Sequence, residues 1–327
     1  MLGDFRYAAR TLRRSPGFAL TAIATLAMGI GASAAIFSVV NKVLLDPLPY
    51  PDPDRLVQLM TASQLGDQTV VSIPKYMIWS ENTHVFDSIA AYDISGLSVN
   101  LNQGDLDDPL EAARVSADYF SIFGAHVAAG RTFSISEDRP DGPRVAVISE
   151  RLWRVRFGSD PMLVGRTVLL EHNSYKVIGV LTGGVSSPSV TGSPDIWPPL
   201  QADPSSTDHV SRVHVVARLK PGVSLEKAQT EVGDTMRPFL EKYRPHTASE
   251  APMLPLEGFT AISLRDAVVG DVRPALFLLI GAVGFVLLIS CANVANLLLA
   301  RARRAGCGRS LYGQHWARSV TKSSVNC

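Results

Sequence analysis

Cysteine is scarce in this 327-residue chain, with three, Cys291, Cys307 and Cys327, and none in the long middle. A disulfide framework is therefore excluded for that region. No two of the three form a CxxC pair, so a zinc site has no cysteine core to build on. The seven histidines, His84, His126, His172, His209, His214, His246 and His315, never fall in an HExxH pattern or at helical pair spacing. Metal binding is unsupported on that count. There is no G-x-S-x-G nucleophile elbow and no G-x-x-x-x-G-K-[ST] loop, so the chain does not cradle nucleotide phosphates through a P-loop. Acids occur in "DLDD" (105–108) and "SED" (136–138), but short acidic runs are usually solvated loops. No catalytic, cofactor-binding or metal-ligating residue is assigned, and no cofactor is implied.

Charge is missing from two long stretches. Ser15 to Asn41 and Pro274 to Ala300 are each 27 residues without Asp, Glu, Lys or Arg. About 20 apolar residues suffice to cross a bilayer core, so both are expected to be transmembrane helices. The first carries a basic n-region and an A-x-A-like site at Ala32-Ser33-Ala34, as a secretory signal would. Its apolar run continues through "AIFSVVNKVLL", beyond the usual length of a signal core, and an uncleaved anchor fits better.

Acids are also missing from the ends. Arg6, Arg10, Arg13 and Arg14 face Asp4 alone before the first span, and Arg301, Arg303, Arg304, Arg309, Arg318 and Lys322 follow the second with no acid. The middle is left with 21 basic and 29 acidic residues. Positive charge stays cytoplasmic, so both termini are expected inside and residues 46–273 outside. A nucleic-acid binder would gather its basic residues on one folded face, and none is expected as a partner.

The spans contain small and polar residues as well. Ala27, Gly31 and Ala35 repeat at four-residue spacing, the kind of stripe that lets helices approach closely. Ser290 and Asn293 share a face of the second span, with Asn296 one turn on. These features suit either packing between the two spans or association with another subunit.

The region between the spans reads as α+β. "DRLVQLM" (54–60) is a strand and "PKYMIWSENTHVF" (74–86) a short helix. "FDSIAAYDISGLSVNL" (86–101) is β-rich, with alternation around Ile94, Leu97 and Val99. "RVAVISERLWRVRFG" (144–158) is a buried strand followed by a helix spaced through Leu152, Val155 and Phe157. "RTVLLEHNSYKVIGVL" (166–181) is a hairpin turning at His172-Asn173-Ser174. Residues 213–243 are a strand, a Pro-Gly turn, and a helix capped by Ser224 with Ala228, Val232 and Met236 as its stripe. Gly, Ser, Pro, Thr and Asp dominate 182–210, which predicts a loop or mobile insertion. "LLDPLPYPDPDRLV" (44–57) holds four prolines where the first span ends. Each fixes φ and withholds an N–H, making a stiff connector that is either a plain linker or a transmitter of motion.

Several segments in order, "DFRYAARTLRRSPGFALTAIATLAMGIGASAAIFSVVNKVLLDPLPYPDPDRLV" (4–57), "VFDSIAAY" (85–92), "ARVSADYFSIFGAHVAAGRTF" (113–133), "VAVISERLWRVRFGSDPMLVGRTVLLEHNSYKVIGVL" (145–181), "DIWPPL" (195–200), "ARLKPGVSLEKAQTEV" (217–232) and "LLISCANVANLLLARA" (287–302), resemble the permease subunits of macrolide-exporter (MacB/FtsX-like) ABC transporters, closest to the acidobacterial-type group with duplicated permease units. The resemblance implies a bacterial inner-membrane protein with two transmembrane α-helices flanking an extracytoplasmic α+β domain, made of a porter-like part and a smaller β-rich part. It implies segments 1–14 (cytoplasmic), 15–45 (first span), 46–273 (periplasmic core), 274–300 (second span) and 301–327 (cytoplasmic tail). Implied partners are an ABC ATPase on the cytoplasmic side, a second copy or related permease half, a periplasmic adaptor and membrane lipid. The chain is expected not to be an enzyme itself, but to relay ATP-driven motion to the outer domain for export of envelope substrates. A non-transporting two-span receptor or scaffold is the alternative. After Ala302 such permeases continue with a coupling segment and two more helices; "RRAGCGRSLYGQHWARSVTKSSVNC" does not match that continuation and reads as a frameshifted or truncated end.

Overall fold

Strand alternation sets the layering of this molecule. The computed structural model describes residues 16–40, 48–62, 67–93, 97–99, 110–170, 173–183, 185, 187, 188, 194–210, 212–243, 258–270, 274–293, 295, 296 and 299. The chain divides into two units: Met1–Asp46 with Val272–Cys327, and Pro47–Asp271, hereafter the head. Elements are numbered along the chain, and helix α1 spans Pro16–Val40 in the first unit.

In the head, the first sheet is antiparallel throughout. Its order is β12 (Phe259–Ser263), β1 (Leu56–Thr61) and β11 (Val213–Leu219), with β3 (Phe86–Asp93) on the far side of β11. The short β2 (Val70–Val71) continues along β11 where β1 leaves it. The second sheet is mixed, in the order β4 (Leu97–Val99), β5 (Leu110–Ala112), β10 (Ile196–Trp197), β7 (Val145–Ser149), β9 (Asn173–Thr182) and β6 (His126–Gly130). Its β7 runs parallel to β9, and β8 (Thr167–Leu170) pairs with the first half of β9.

Both faces of the central strands are covered, which is why "VHVVARL" and "VAVIS" are buried at every position. Val213, Val215 and Ala217 face an outer layer with Ile78 and Trp79 of α2 (Ile73–Asn82), Ala228 and Val232 of α5 (Leu225–Asp234) and Phe239 of α6 (Met236–Lys242). Val216 and Tyr92 face the opposite way, into a core shared with Val145, Val147 and Trp197 of the second sheet. Helix α3 (Tyr119–Ile122) fills that shared core. Its aromatics interlock edge to face, with Tyr92–Tyr119 at 5.6 Å and Phe120–Phe133 at 5.1 Å. Beyond the second sheet, Leu152 of α4 (Glu150–Phe157) packs on Ala146 and Ile148.

Several expectations need adjusting. The hairpin of β8 and β9 registers Leu170 with Asn173, so Asn173 and Ser174 belong to strand β9 rather than to the anticipated turn. In α4 Leu152 is buried but Val155 is 72% exposed, because the helix makes little more than two turns and only one edge reaches the sheet. The 182–210 stretch is not all surface loop. Ile196 and Trp197 form a fully buried strand bonded between β5 and β7. Ile94 lies outside the described residues.

The head ends with α7 (Leu264–Val269), which packs against β1 and the 3₁₀ turn at Pro53–Arg55. In the other unit, α8 (Pro274–Asn293) has a mean hydropathy of 2.7 over its most apolar window. Among the described residues it is the one helix long and apolar enough to cross a membrane; within α1 the apolar helical stretch is Ala27–Ser38. Gly29 of α1 is buried, and a Cβ there would stand 3.2 Å from Ser290 Oγ of α8. The two helices therefore meet at a glycine. Ala27, Gly31 and Ala35 are exposed instead, and a Cβ at Gly31 would meet nothing within 4 Å.

Candidate functional site

The first described stretch of the head, 48–55, is clamped onto the fold by two arginines. Arg218 is the penultimate residue of β11 and is only 8% exposed. Its Nη1 donates to Pro51 O at 2.6 Å and its Nη2 to Ile122 O at 2.9 Å. One side chain thus ties the connector to the helix in the shared core. Burial pulls the guanidinium below its ordinary value, with Asp52, 3.8 Å away, acting in the opposite sense. Arg55 completes the clamp: its Nε and Nη2 donate to Leu219 O at 2.8 and 2.6 Å, and its Nη1 to Asp52 Oδ2 at 3.1 Å. Charge-assisted bonds to carbonyls are among the stronger ones a fold makes.

Apolar contacts reinforce the same segment. Leu48 and Tyr50 pack against the shared core, and the Tyr50 ring meets Phe123 edge-on at 5.0 Å. Burial pushes the Tyr50 hydroxyl up to about 12. Gly124 has φ +67°, and a Cβ on it would stand 2.7 Å from Pro51 Cδ, so only glycine lets the proline approach here. Asp52 adopts a left-handed backbone at φ 45°, which turns the chain from the connector into β1. The four-proline segment is therefore built into the head from Leu48 onward; Leu44–Pro47 lie outside the described residues.

The other residues singled out in the sequence serve the scaffold. In "SED", Glu137 forms a two-pronged pair with Arg131 at 2.7 and 2.8 Å, which holds its carboxyl down at about 2. Asp138 accepts from Ala117 N at 3.0 Å and Gln201 N at 2.8 Å. "DLDD" lies outside the described residues, as do His172, His246 and His315. His214 is buried and stacked on Tyr92 at 5.5 Å, while His209 meets the rings of Phe239 and Tyr243. Burial pulls the His214 imidazole below its ordinary value. Among the described residues no group of three metal-ligating side chains converges. Two S-x-x-K tetrads do occur in the head, Ser72–Lys75 and Ser224–Lys227, and neither joins its serine to its lysine through their side chains. Lys75 Nζ donates to Thr61 Oγ1 at 3.1 Å, and Ser224 Oγ caps α5 by accepting from Lys227 N at 3.3 Å. Ser149 resembles half of a catalytic pair, since its hydroxyl donates to buried Asp195 at 3.0 Å. The same oxygen accepts from Leu152 N, making it the cap of α4, and the other oxygen of Asp195 is held by Arg151.

Sequence reasoning missed Arg218. The available signal was a charged residue at an inward position of the otherwise apolar run "VHVVARL"; such a residue must find partners or destabilise the core.

The model of the MacB-like periplasmic core domain family matches residues 19–235, covering β1, β11, the clamp and the shared core. The chain belongs to this family. It is of the MacB/FtsX-like ABC permease type, whose core domain is periplasmic. The macrolide export ATP-binding/permease protein MacB of Salmonella typhi is 27% identical over 139 residues, which make up 41% of this chain and 21% of that protein. The same protein of Salmonella typhimurium matches equally. The match thus spans about a fifth of the curated relatives' length. Similar solved structures include a permease-protein domain from Porphyromonas gingivalis, with TM-score 0.49 and 17% identity over 65% of this chain and 92% of that one. The periplasmic region of MacB from Actinobacillus actinomycetemcomitans has TM-score 0.47 and 13% identity, over 71% and 98%.

Proposed function

We propose that this MacB-like core domain is the outer part of an ABC transporter permease, and that the arginine clamp conveys motion from the first membrane helix to the head. In this reading α1 and α8 lie in two spans, within segments 15–45 and 274–300, and segment 46–273 is extracytoplasmic. Segments 1–14 and 301–327 are cytoplasmic. An ATPase subunit on the cytoplasmic side supplies the energy, and the substrates are envelope molecules; the relatives' own names give macrolides. The observation that carries this is Arg218. It binds Pro51 of the connector and Ile122 of the central helix together, so a displacement of the connector moves the shared core rather than flexing a linker.

The outward-facing apolar side chains of α8, among them Phe277, Leu278, Phe285 and Leu288 at 62–75% exposure, support a lipid environment. The Ala27/Gly31/Ala35 stripe, unused in the contact with α8, supports a further helix from a second copy or a related permease half. A periplasmic adaptor belongs to the same scheme. Alkaline phosphatase fused after Lys220 is expected to be active and after Arg304 inactive, and the chain is expected to co-purify with an ATPase subunit. The reverse fusion pattern, or co-purification of no ATPase, overturns the reading.

A further inference from the structure

The carboxyl ends of β7 and β9 lie side by side, because the two strands run parallel and Ser149 registers with Leu181. In open α/β sheets, the crevice outside the carboxyl ends of parallel strands is where ligands are received. Here that place is a hollow of about 410 Å³, inside the range of small-molecule sites, roughly 300–1,000 Å³. Helix α4 leaves β7 beside it, and Gly183, the residue after β9, lines it.

Arg151, Arg154 and Val155 stand three and four residues apart, so they share one face of α4. All three line the hollow. Val155 is 72% exposed there, and Pro194 adds a second apolar surface. Asp195, also in the lining, is almost wholly buried.

The hydrogen bonds of the lining leave capacity of one kind. Asp195 Oδ1 accepts from Ser149 Oγ at 3.0 Å, and its Oδ2 accepts from Arg151 Nη2. Glu150 Oε1 accepts from Arg154 Nη2 at 2.5 Å, and its Oε2 accepts from Gly183 N at 3.3 Å. Each of the four carboxylate oxygens thus has a donor. A guanidinium carries five N–H groups, yet among the described residues each arginine engages the protein through Nη2 alone. The formal charges of the two acids and two arginines cancel. What remains is a set of directional donors, held in place by acids that are already served. A ligand that fits must bring acceptors, and the planar fork of arginine matches carboxylate and phosphate.

We propose that this hollow binds a small amphipathic anion. Its carboxylate or phosphate is received by the free N–H groups of Arg151 and Arg154, and its apolar body lies against Val155 and Pro194. The site stands apart from the arginine clamp and does not depend on the transport reading.

Equilibrium dialysis of the full chain in nanodiscs of zwitterionic lipid, with empty nanodiscs subtracted, tests it. The probes are phenyl phosphate and benzoate, with inorganic phosphate, acetate and benzyltrimethylammonium as controls. Saturable binding of at least one aromatic anion is expected, about tenfold tighter than its non-aromatic counterpart. Whichever of the two binds more tightly identifies the head group as phosphate or carboxylate. Arg154→Met is expected to weaken binding about tenfold. Val155→Glu, which places a negative charge on the apolar wall, is expected to abolish it. Both positions are exposed, so thermal unfolding of the head is expected to be unchanged in either variant. The proposal is overturned by any of three results: no saturable binding of either aromatic anion, equal binding of the cation or of the non-aromatic counterpart, or unaltered binding in both variants. Should a variant fail to fold, the comparison of probes on the unaltered chain decides.

Discussion

Arg218 shows how one buried cation can be worth more than a surface pair. It makes two charge-assisted bonds, one to the carbonyl of fully buried Ile122 and one to that of Pro51 at the surface edge. Arg218→Met keeps most of the apolar stem, leaves both carbonyls short of a donor, and is expected to cost about 3 kcal/mol. Urea unfolding measures it; a loss below about 1 kcal/mol would mean the clamp contributes little. Arg218→Lys is expected to recover only part, since an ammonium lacks the planar fork that spans both oxygens. Glu137 gives a prediction of pH dependence. Its carboxyl is depressed to about 2, so its stabilising contribution is whole above the ordinary 4.5 and drains away as pH falls from there through 2. The pair with Arg131 is largely solvent-screened, so Glu137→Gln is expected to cost under about 1 kcal/mol at pH 7. That gap should narrow between pH 5 and pH 3; a gap that widens instead refutes the assignment.

At the scale of elements, two helix caps of the same residue type should differ. Ser224 caps α5 at an exposed end, and Ser224→Ala is expected to cost about 1 kcal/mol. Ser149 caps α4 and also donates to buried Asp195, so Ser149→Ala is expected to cost about 2–3 kcal/mol. Equal losses in denaturant midpoint would show that the bond to Asp195 adds nothing. These caps also mark what the sequence makes legible. Ser224 ahead of its amphipathic run, and the strand-to-helix change at 144–158, depend on neighbours within a few residues and were readable. The β10 strand was not, because Ile196 and Trp197 are two residues amid prolines whose burial depends on β5 and β7. The extended run 113–116 was hidden for the same reason: its backbone partners, at 91–93 and 196–200, come from distant parts of the chain. In α1 the pattern pointed to a small-residue stripe. The pairing with α8 instead runs past Gly29, where Ser290 comes close.

For the whole molecule, those two small-residue faces separate contacts within one chain from contacts between chains. Gly29→Leu is expected to break the pairing of α1 with α8, since even a Cβ there meets Ser290 at 3.2 Å. Gly31→Cys, in a background with Cys291, Cys307 and Cys327 all changed to Ser, is expected to cross-link copies under mild oxidation while leaving thermal unfolding of the head unchanged. Cross-linking at position 29 but not at 31 would assign the faces the other way round. The two ends of the head add one more consequence. Just inside them lie the first and last strands, β1 and β12, antiparallel neighbours with Val57 registered against Ser263 at one end and Thr61 against Phe259 at the other. Both leashes are therefore fastened at the same end of one ladder. A pull applied to them jointly is shared across the whole ladder, whereas a pull that drives them apart opens it from Val57–Ser263 inward, one rung at a time, as a zip opens. The head is thus mechanically strong against being tugged and weak against being spread.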